Sequence, residues 1–211
     1  GATNGWIPTL DKAVADTPVT GNTEGIFGFG HNGSTQISTT NLVSNAGVVA
    51  SDVSGVGTSR HGLTACEYGG DKGIFGFGTT GSLTGVTNLV SNAGVVASDV
   101  SAVGTARSDP AACEYGGDKG IFGFGHNGTT QVSMTNLVSN AGVVATDVTG
   151  VGTDRSLLAA CEYGDDKAIF GFGYIGSELS MSNLVSNAGV VATDTTGVGT
   201  ARHGLKACSY G

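Results

Sequence analysis

The chain has 211 residues, of which 39% are hydrophobic and 38 are glycine, and its net charge is −8 at neutral pH. This apolar fraction excludes wholesale disorder, and the excess of 17 acidic over 9 basic residues disfavours nonspecific binding to nucleic acid or to anionic membranes. Since no apolar run approaches the ~18 residues of a membrane span, we predict no membrane insertion.

Residues 1–24 precede a set of internal repeats and share none of their motifs. The stretch "TLDKAVADTPVT" within them predicts a short helix followed by a strand that competes with the C-terminal strand for the place of the missing first strand. If it takes that place, the terminal "KACSYG" is free to pair with another chain. A second interpretation is that these residues tether the chain to a larger assembly. They lack the charged and apolar regions of a signal peptide.

Residues 25–211 repeat one pattern four times, and we treat them as one domain. "GIFGFG" or "AIFGFG" is followed by "NLVSNAGVV", then by an arginine, and then by "ACEYG" or "ACSYG". One cysteine marks each copy, and successive cysteines are 47, 48 and 47 residues apart: Cys66, Cys113, Cys161 and Cys208.

Each repeat predicts four short strands joined by turns. In the copy that begins at Gly62, the predicted strands are "GLTACEY", "GIFGF", "VTNLVS" and "VVASDV". The segments "GGDK" and "NAGV" supply tight turns, and "GTTGSLTG" supplies a looser loop. Glycine and β-branched residues disfavour helix, so we predict an all-β fold.

Four antiparallel strands in a unit of this length are typical of a β-propeller blade. The pattern enters on the second strand, at "GIFGFG", and ends on the first strand, at "KACSYG". We therefore predict a four-bladed β-propeller of four-stranded antiparallel blades, closed where the C-terminal strand joins the N-terminal blade. Closure would bury two apolar faces per blade and leave no long free edge.

The arginine, the short apolar strand, the glycine-rich turn and the "IFGFG" strand together resemble the kelch motif of β-propellers. The combination "YGGDK" with "NLVSN" and "GVVATDTTGVGTAR" is similar to kelch-like repeat proteins predicted from bacteriophage genomes. This resemblance covers residues 25–211. It implies a β-propeller in a phage virion or tail, and thus a virion or extracellular location.

Variation among the four copies gathers in one set of loops. "SNAG" is identical in every copy and "GGDK" changes only once, whereas the loops after "GFG" and after the arginines differ. Strand order predicts that the varying loops share one rim and the constant turns share the other. The alternative is that exposed loops vary because nothing constrains them.

We predict that the varying rim binds a ligand, because polar loops on a rigid scaffold commonly carry recognition. The expected ligand is a host-surface glycan or receptor, and the alternative is a purely structural virion component that contacts other virion proteins or copies of itself. The predicted ligand-binding residues are His31, Asn32, His61, Thr79, Thr80, Asp109, His126, Asn127, Tyr174, Glu178 and His203. At Asn32 and Asn127 the sequence also matches a glycosylation sequon, although Asn-Gly is equally a turn signal, which we favour.

The other repeated residues predict structure rather than chemistry. Each cysteine stands alone in its repeat, which favours a free thiol in the core over a four-thiolate zinc site. The repeated arginines and aspartates predict ion pairs or hydrogen bonds between neighbouring blades. Repeated glutamates, of which Glu67 is the first, are expected to line the axis. No nucleophile elbow, phosphate loop or close ligand cluster occurs in the sequence, so we predict no enzyme, metal or cofactor.

Overall fold

The computed structural model describes residues 23–210, which form eleven strands in four small antiparallel sheets. Sheet I contains β1 (Gly25–His31) and β2 (Gln36–Val43), and sheet II contains β3 (Thr64–Tyr68), β4 (Lys72–Gly76) and β5 (Thr87–Val90). Sheet III contains β6 (Ala111–Tyr115), β7 (Lys119–Gly123) and β8 (Thr135–Val138), and sheet IV contains β9 (Ala159–Tyr163), β10 (Lys167–Tyr174) and β11 (Glu178–Val185). The predicted all-β class is confirmed for these residues. The predicted helix and strand in residues 1–22 lie outside them.

In the described part of the chain, no helix is long and apolar enough to cross a bilayer.

The predicted first three strands of each repeat pair as expected in sheets II to IV, with the second strand in the middle. The predicted fourth strand is not continuous: the segment after each "SNAG" turn lies antiparallel to the third strand but is joined to it by isolated bridges, such as Val90 to Val96 and Thr87 to Val100. Between these bridges β5 advances by three residues and the returning segment by four, so one extra residue interrupts the ladder. The side chain of Asn88 spans the interruption by donating to Ala97 O at 3.1 Å.

Neighbouring sheets stack in chain order, with β3 beside β6 and β6 beside β9. The apolar cores lie between the sheets. At each boundary a phenylalanine from one sheet packs onto a glycine of the sheet before it: a methyl group at Gly76 would lie 2.7 Å from the ring of Phe122, and one at Gly123 would lie 2.7 Å from that of Phe170. Only glycine leaves room for these rings, so the sheets interlock face to face.

A phenylalanine in left-handed conformation recurs in each repeat, within β1 and β10 and directly after β4 and β7: Phe29, Phe172, Phe77 and Phe124. Such a conformation costs roughly 1–2 kcal/mol for a residue other than glycine. It interrupts the ladder between Gly28 and Gly30 and, in the fourth repeat, between Gly171 and Gly173. Rings of this set meet those of the next sheet, with 5.2 Å between the centroids of Phe77 and Phe122, so the strain is offset by aromatic packing.

An arginine closes each boundary. The Arg107 guanidinium lies 3.9 Å from the centre of the Phe77 ring and donates to Asn136 Oδ1, in the next sheet, at 2.6 Å. Its Nη1 lies 3.8 Å from Asp147 Oδ1, in the segment that follows β8. Arg60 and Arg155 are also fully buried. Arg60 Nε donates to Phe77 O of the next repeat at 2.8 Å, and Arg155 Nη1 lies 3.9 Å from Asp194 Oδ1 of the next repeat. The predicted ion pairs or hydrogen bonds between neighbouring repeats are thus confirmed at these three arginines.

Burial lowers the pKa of these three guanidinium groups from 12.5 to about 10, while the nearby aspartate acts in the opposite direction. The arginines therefore remain charged at neutral pH. Three buried cations, each held by a neighbouring carbonyl or amide oxygen, orient one sheet on the next.

The described ends of the stack are not joined. In residues 23–210, no backbone hydrogen bond or bridge links Lys206–Tyr210 to β1. Sheet I accordingly has two strands where sheets II to IV have three. The closed ring therefore stays a prediction.

Substituting Phe122 tests the interlocking directly. We expect Phe122→Ala to lower the free energy of unfolding by about 3–5 kcal/mol, because it empties a fully buried site between two sheets. Urea titration of dilute protein, monitored by far-UV circular dichroism, measures this loss of stability. Phe27→Ala is the matched control: the same repeat position is 63% exposed there, so we expect a change below about 1 kcal/mol. Equal losses at both positions would contradict the stacking.

Candidate functional site

The varying loops of the repeats meet on one rim, as predicted from strand order. The loop after each arginine pairs with the loop after "GFG" through the bridges His61 to Thr79, Ser108 to His126 and Ser156 to Tyr174. We name these loops the variable rim: residues 31–36, 61–63, 79–84, 108–110, 126–131, 156–158, 174–178 and 203–205.

The opposite rim carries the constant turns. There the "SNAG" and "GGDK" turns are joined by asparagine to aspartate hydrogen bonds, from Asn92 to Asp71 at 3.1 Å and from Asn140 to Asp118 at 3.0 Å. The aspartates also bind the adjacent lysines, and the pKa of Asp71 is lowered by its hydrogen bonds to Lys72 and then Asn92. We name these turns the constant rim. In the second to fourth repeats each asparagine bonds to the aspartate of the adjacent turn, which constrains both turns.

A chain of backbone hydrogen bonds runs along the variable rim from repeat to repeat. Asp109 N donates to Gly62 O at 2.8 Å, Leu157 N to Asp109 O at 3.2 Å, and Gly204 N to Leu157 O at 2.8 Å. All four residues have positive φ, and Asp109 and Leu157 adopt it without being glycine. The backbone of the rim is thereby fixed independently of the side chains that it presents.

The predicted residues of the first and third repeats adopt one conformation. His31 Nδ1 accepts from Gly33 N at 3.0 Å, and His126 Nδ1 accepts from Gly128 N at 3.0 Å. A neutral imidazole that accepts at Nδ1 carries its proton on Nε2, so both rings offer a donor at the outer nitrogen.

The asparagines that follow these histidines close the same loops. Asn32 Oδ1 accepts from Ser34 N and Thr35 N, both at 2.9 Å, and Asn127 Oδ1 makes the equivalent bonds at 3.0 and 2.9 Å. Their favoured role as turn residues is confirmed. Their ligand-binding role stays a prediction.

The structure brings the predicted residues together in two groups rather than one. At one end of the stack the rings of His31 and His61 have centroids 5.5 Å apart. At the other end the rings of Tyr174 and His203 are 5.1 Å apart, and His203 Nδ1 lies 3.4 Å from Glu178 Oε1. The second group combines an aromatic face, a carboxylate and an imidazole within one exposed patch.

The remaining predicted residues lie between these groups. Gly81 N donates to Thr79 Oγ1 at 3.1 Å, and Thr80 Oγ1 donates to Ser82 O at 3.2 Å, so both hydroxyls stabilise their own loop. Asp109 is half-buried in the backbone chain of the rim. The His61 side chain leaves a buried Nδ1 without a hydrogen-bond partner among the described residues.

Sequence reasoning missed a cleft of about 540 Å³ at the start of the stack. It lies between sheets I and II, and its lining includes Glu24, Ile26, Ala65, Glu67 and Ile74. The cleft is located where sheet I lacks the strand that corresponds to β3. The repeats begin with "GIFGFG", which is a second strand, and end with "KACSYG", which is a first strand. This offset was the sequence signal that could have located the cleft.

The repeated glutamates form a row along the inner strands. Burial, and then the charges of Glu162 and Glu67, raise the pKa of Glu114 to about 7. At the end of the row Ser209 Oγ donates to Glu162 Oε1 at 2.9 Å. Within residues 23–210, no group of three or more metal-ligating side chains is arranged to hold an ion.

All four cysteines are free thiols, as expected. Cys113 is buried, Cys66 and Cys161 are partly buried, and Cys208 is exposed. The core position predicted for the cysteines is thus confirmed for the interior of the stack and is wrong for Cys208, which no sheet within residues 23–210 covers. Burial raises the pKa of Cys66 to about 12, so this thiol is neutral.

No protein-family model matches the chain, and no curated protein sequence is significantly similar to it.

The raised pKa of Glu114 predicts a pH-dependent stability. The folded chain binds the Glu114 proton more tightly than the unfolded chain does. The contribution of this group to the free energy of unfolding is therefore fully present below about pH 4.5 and is lost as the pH rises through about 7. We expect Glu114→Gln to be more stable than the wild type at pH 8, by about 1 kcal/mol after solvent screening of this partly exposed group. Urea titrations at both pH values measure the difference, which should vanish at low pH. A stability difference of the same size at both pH values would contradict an effect of the Glu114 charge.

Proposed function

We propose that this chain is a non-enzymatic recognition module whose variable rim binds a glycan or receptor on a host surface. The observation that carries the proposal is the separation of the two rims: differences between repeats gather on one rim, while the other keeps its turns unchanged. The proposal includes a place in a phage virion or tail and a kelch-like relationship, both of which rest on the repeat motifs. It requires no cofactor.

The geometry of the rim supports binding of a polar ligand. Its backbone is fixed by hydrogen bonds between loops, so little conformational entropy is lost when the exposed side chains engage a ligand. The outer nitrogens of His31 and His126 are donors suited to hydroxyl groups. The face of Tyr174 suits the apolar side of a sugar ring, and Glu178 beside it accepts hydroxyl protons.

A purely structural role in a virion is the second candidate. It is favoured by the uncovered ends of the stack, where Phe27 is exposed at one end and Lys206–Tyr210 at the other. In that case the chain contacts other virion proteins or copies of itself, and the variable rim has no ligand.

The closed four-bladed propeller is the finer form of the fold that we predicted. It is supported by the equivalence of the three boundaries between sheets, each of which carries a buried arginine and an interlocked phenylalanine. It requires a fourth boundary of this kind, between sheet IV and sheet I. Binding by the variable rim does not depend on this closure.

A triple substitution tests recognition. We expect His31→Ala, His126→Ala and Tyr174→Ala together to abolish binding to host cells or to a glycan array, because they remove the outer donors and the aromatic face. Binding of labelled full-length chain is the measurement. The backbone bonds of the rim remain available, and a circular dichroism spectrum checks that the fold is kept.

The matched control places three substitutions on the constant rim. We choose the valine that directly follows the "SNAG" turn in three of the repeats, because these side chains are exposed to a similar degree. Binding should persist in the variant that combines Val48→Ala, Val143→Ala and Val190→Ala. Unchanged adhesion by the rim variant, or equal loss in the control, would contradict recognition by the variable rim.

A further inference from the structure

The two ends of the stack are complementary halves of one boundary. We call the uncovered face of sheet I the head and the uncovered face of sheet IV, with Lys206–Tyr210, the tail. Three boundaries inside the chain show what a head and a tail look like when joined. Every kind of contact in them has an unmatched half at each end.

The interlocking phenylalanine is the first such contact. Its ring is 6% exposed at Phe75 and 0% exposed at Phe122 and Phe170, but 63% exposed at Phe27 in the head. The glycine that receives it is filled at Gly28, Gly76 and Gly123, whereas a methyl group at Gly171 in the tail would meet no atom within 4 Å. The head therefore carries a projecting ring and the tail an empty site for it.

A second pair has the opposite direction. Inside the stack a leucine of one sheet packs onto the "SNAG" glycine of the next. A methyl group at Gly142 would lie 2.8 Å from the side chain of Leu89, and one at Gly189 would lie 2.9 Å from that of Leu137. In the tail the equivalent Leu184 is 40% exposed. In the head a methyl group at Gly47 would meet no atom within 4 Å.

The polar network of the boundary is also divided between the ends. At the last internal boundary Arg155 donates from Nε to Phe172 O at 2.8 Å and from Nη2 to Asn183 Oδ1 at 2.6 Å. Arg155 also donates from Nη1 to Thr153 O at 3.0 Å and lies 4.1 Å from the centre of the Phe124 ring. Arg202 in the tail keeps only contacts of this second kind, with Nη1 donating to Thr200 O at 3.1 Å and its guanidinium 3.9 Å from the centre of the Phe172 ring. Arg202 is nevertheless exposed. Its acceptors by repeat position are Phe29 O and Asn41 Oδ1 in the head, where Asp52 supplies the negative charge.

The tail also projects the strand that the head lacks. Lys206–Tyr210 is exposed, with Tyr210 at 99%, but the segment is already placed over β9 by the bond from Ser209 to Glu162. In sheet II the corresponding strand β3 pairs Cys66 with Ile74 and Glu67 with Gly73. The same register would pair Cys208 with Ile26 and Ser209 with Gly25, inside the cleft of about 540 Å³.

We propose that the tail of one copy of this chain docks on the head of a second copy, with Lys206–Tyr210 completing the second copy's sheet I. We choose a second copy as the occupant for two reasons. The head and the tail hold complementary halves of the phenylalanine, leucine, arginine and strand contacts described above, and both faces are uncovered in the described part of the chain. The contact is heterologous, so it leaves a free head and a free tail and continues to further copies. Insertion of the strand is a case of β-strand addition at a sheet edge.

Complementation between two half-blocked variants tests the proposal. Phe27→Glu blocks the head, and Arg202→Glu blocks the tail. By sedimentation velocity, the wild type should form oligomers whose mass grows with protein concentration, and each variant alone should associate about 30-fold or more weakly. An equimolar mixture should form a dimer and nothing larger, because one good tail meets one good head.

Both substituted side chains are exposed, so the variants should fold, which circular dichroism checks. Val143→Glu is the matched control: this valine is exposed in an interior repeat and takes part in no boundary, so its assembly should equal that of the wild type. A wild type that is monomeric at every concentration overturns the proposal. A mixture of half-blocked variants that stays monomeric overturns it as well.

A disulfide trap separates docking between copies from closure within one chain. Directly opposite residues on antiparallel strands have Cα atoms about 4.5–5.5 Å apart, within the range of a disulfide. Oxidised Ile26→Cys should therefore give covalent dimers and longer chains on non-reducing gels, and the additional Cys208→Ser substitution should remove them. A disulfide to Cys208 within a single chain would instead show that the ring closes and would overturn the proposal. Neither result depends on whether the variable rim binds a ligand.

Discussion

Everything in this fold depends on the burial of one sheet by the next, because a sheet of three short strands cannot cover two apolar faces by itself. At each boundary a phenylalanine packs onto a glycine and supplies the apolar burial. The fully buried arginines fix the orientation of one sheet on the next: Arg60, Arg107 and Arg155. An unpartnered cation in such a place would be strongly destabilising, so the carbonyl and amide oxygens around it have to be in position. The sheets can therefore stack in one register only, and each boundary repeats the last.

The same arginines connect the stack to the variable rim. Arg107 O accepts from Gly78 N at 2.9 Å, and the next residue, Ser108, pairs with His126 on the rim. The loop thus begins at a point that the core has already fixed, and its backbone continues through bonds to the neighbouring repeat. These backbone bonds do not depend on which side chains the loops carry, so the rim tolerates substitutions that the bonded turns of the constant rim do not.

Much of this arrangement can be predicted from the sequence because each repeat contains its own local motifs for strands and turns. The period, the three paired strands and the two rims all depend on local patterns, such as "GGDK" followed by "GIFGF". The interruption of the fourth strand did not follow, since a single extra residue before Val100 breaks the ladder and composition does not show such a residue. The left-handed Phe77 and the partner of Arg107 were also hidden, because both depend on contacts with the next repeat.

The ends of the stack show why identical repeats do not by themselves determine a ring. Closure requires the rotations at successive boundaries to add up to a full turn without a rise along the axis, whereas any other rotation gives an open stack that grows by addition. Sheet I and Lys206–Tyr210 provide the two halves of a fourth boundary, and the described chain forms only three. If copies join head to tail, the variable rim continues from one copy to the next, so that weak sites on each copy would act together on a surface with many ligands. Assembly and recognition would then use different faces of the same repeat, and the constant junctions would be what allows the rim to vary.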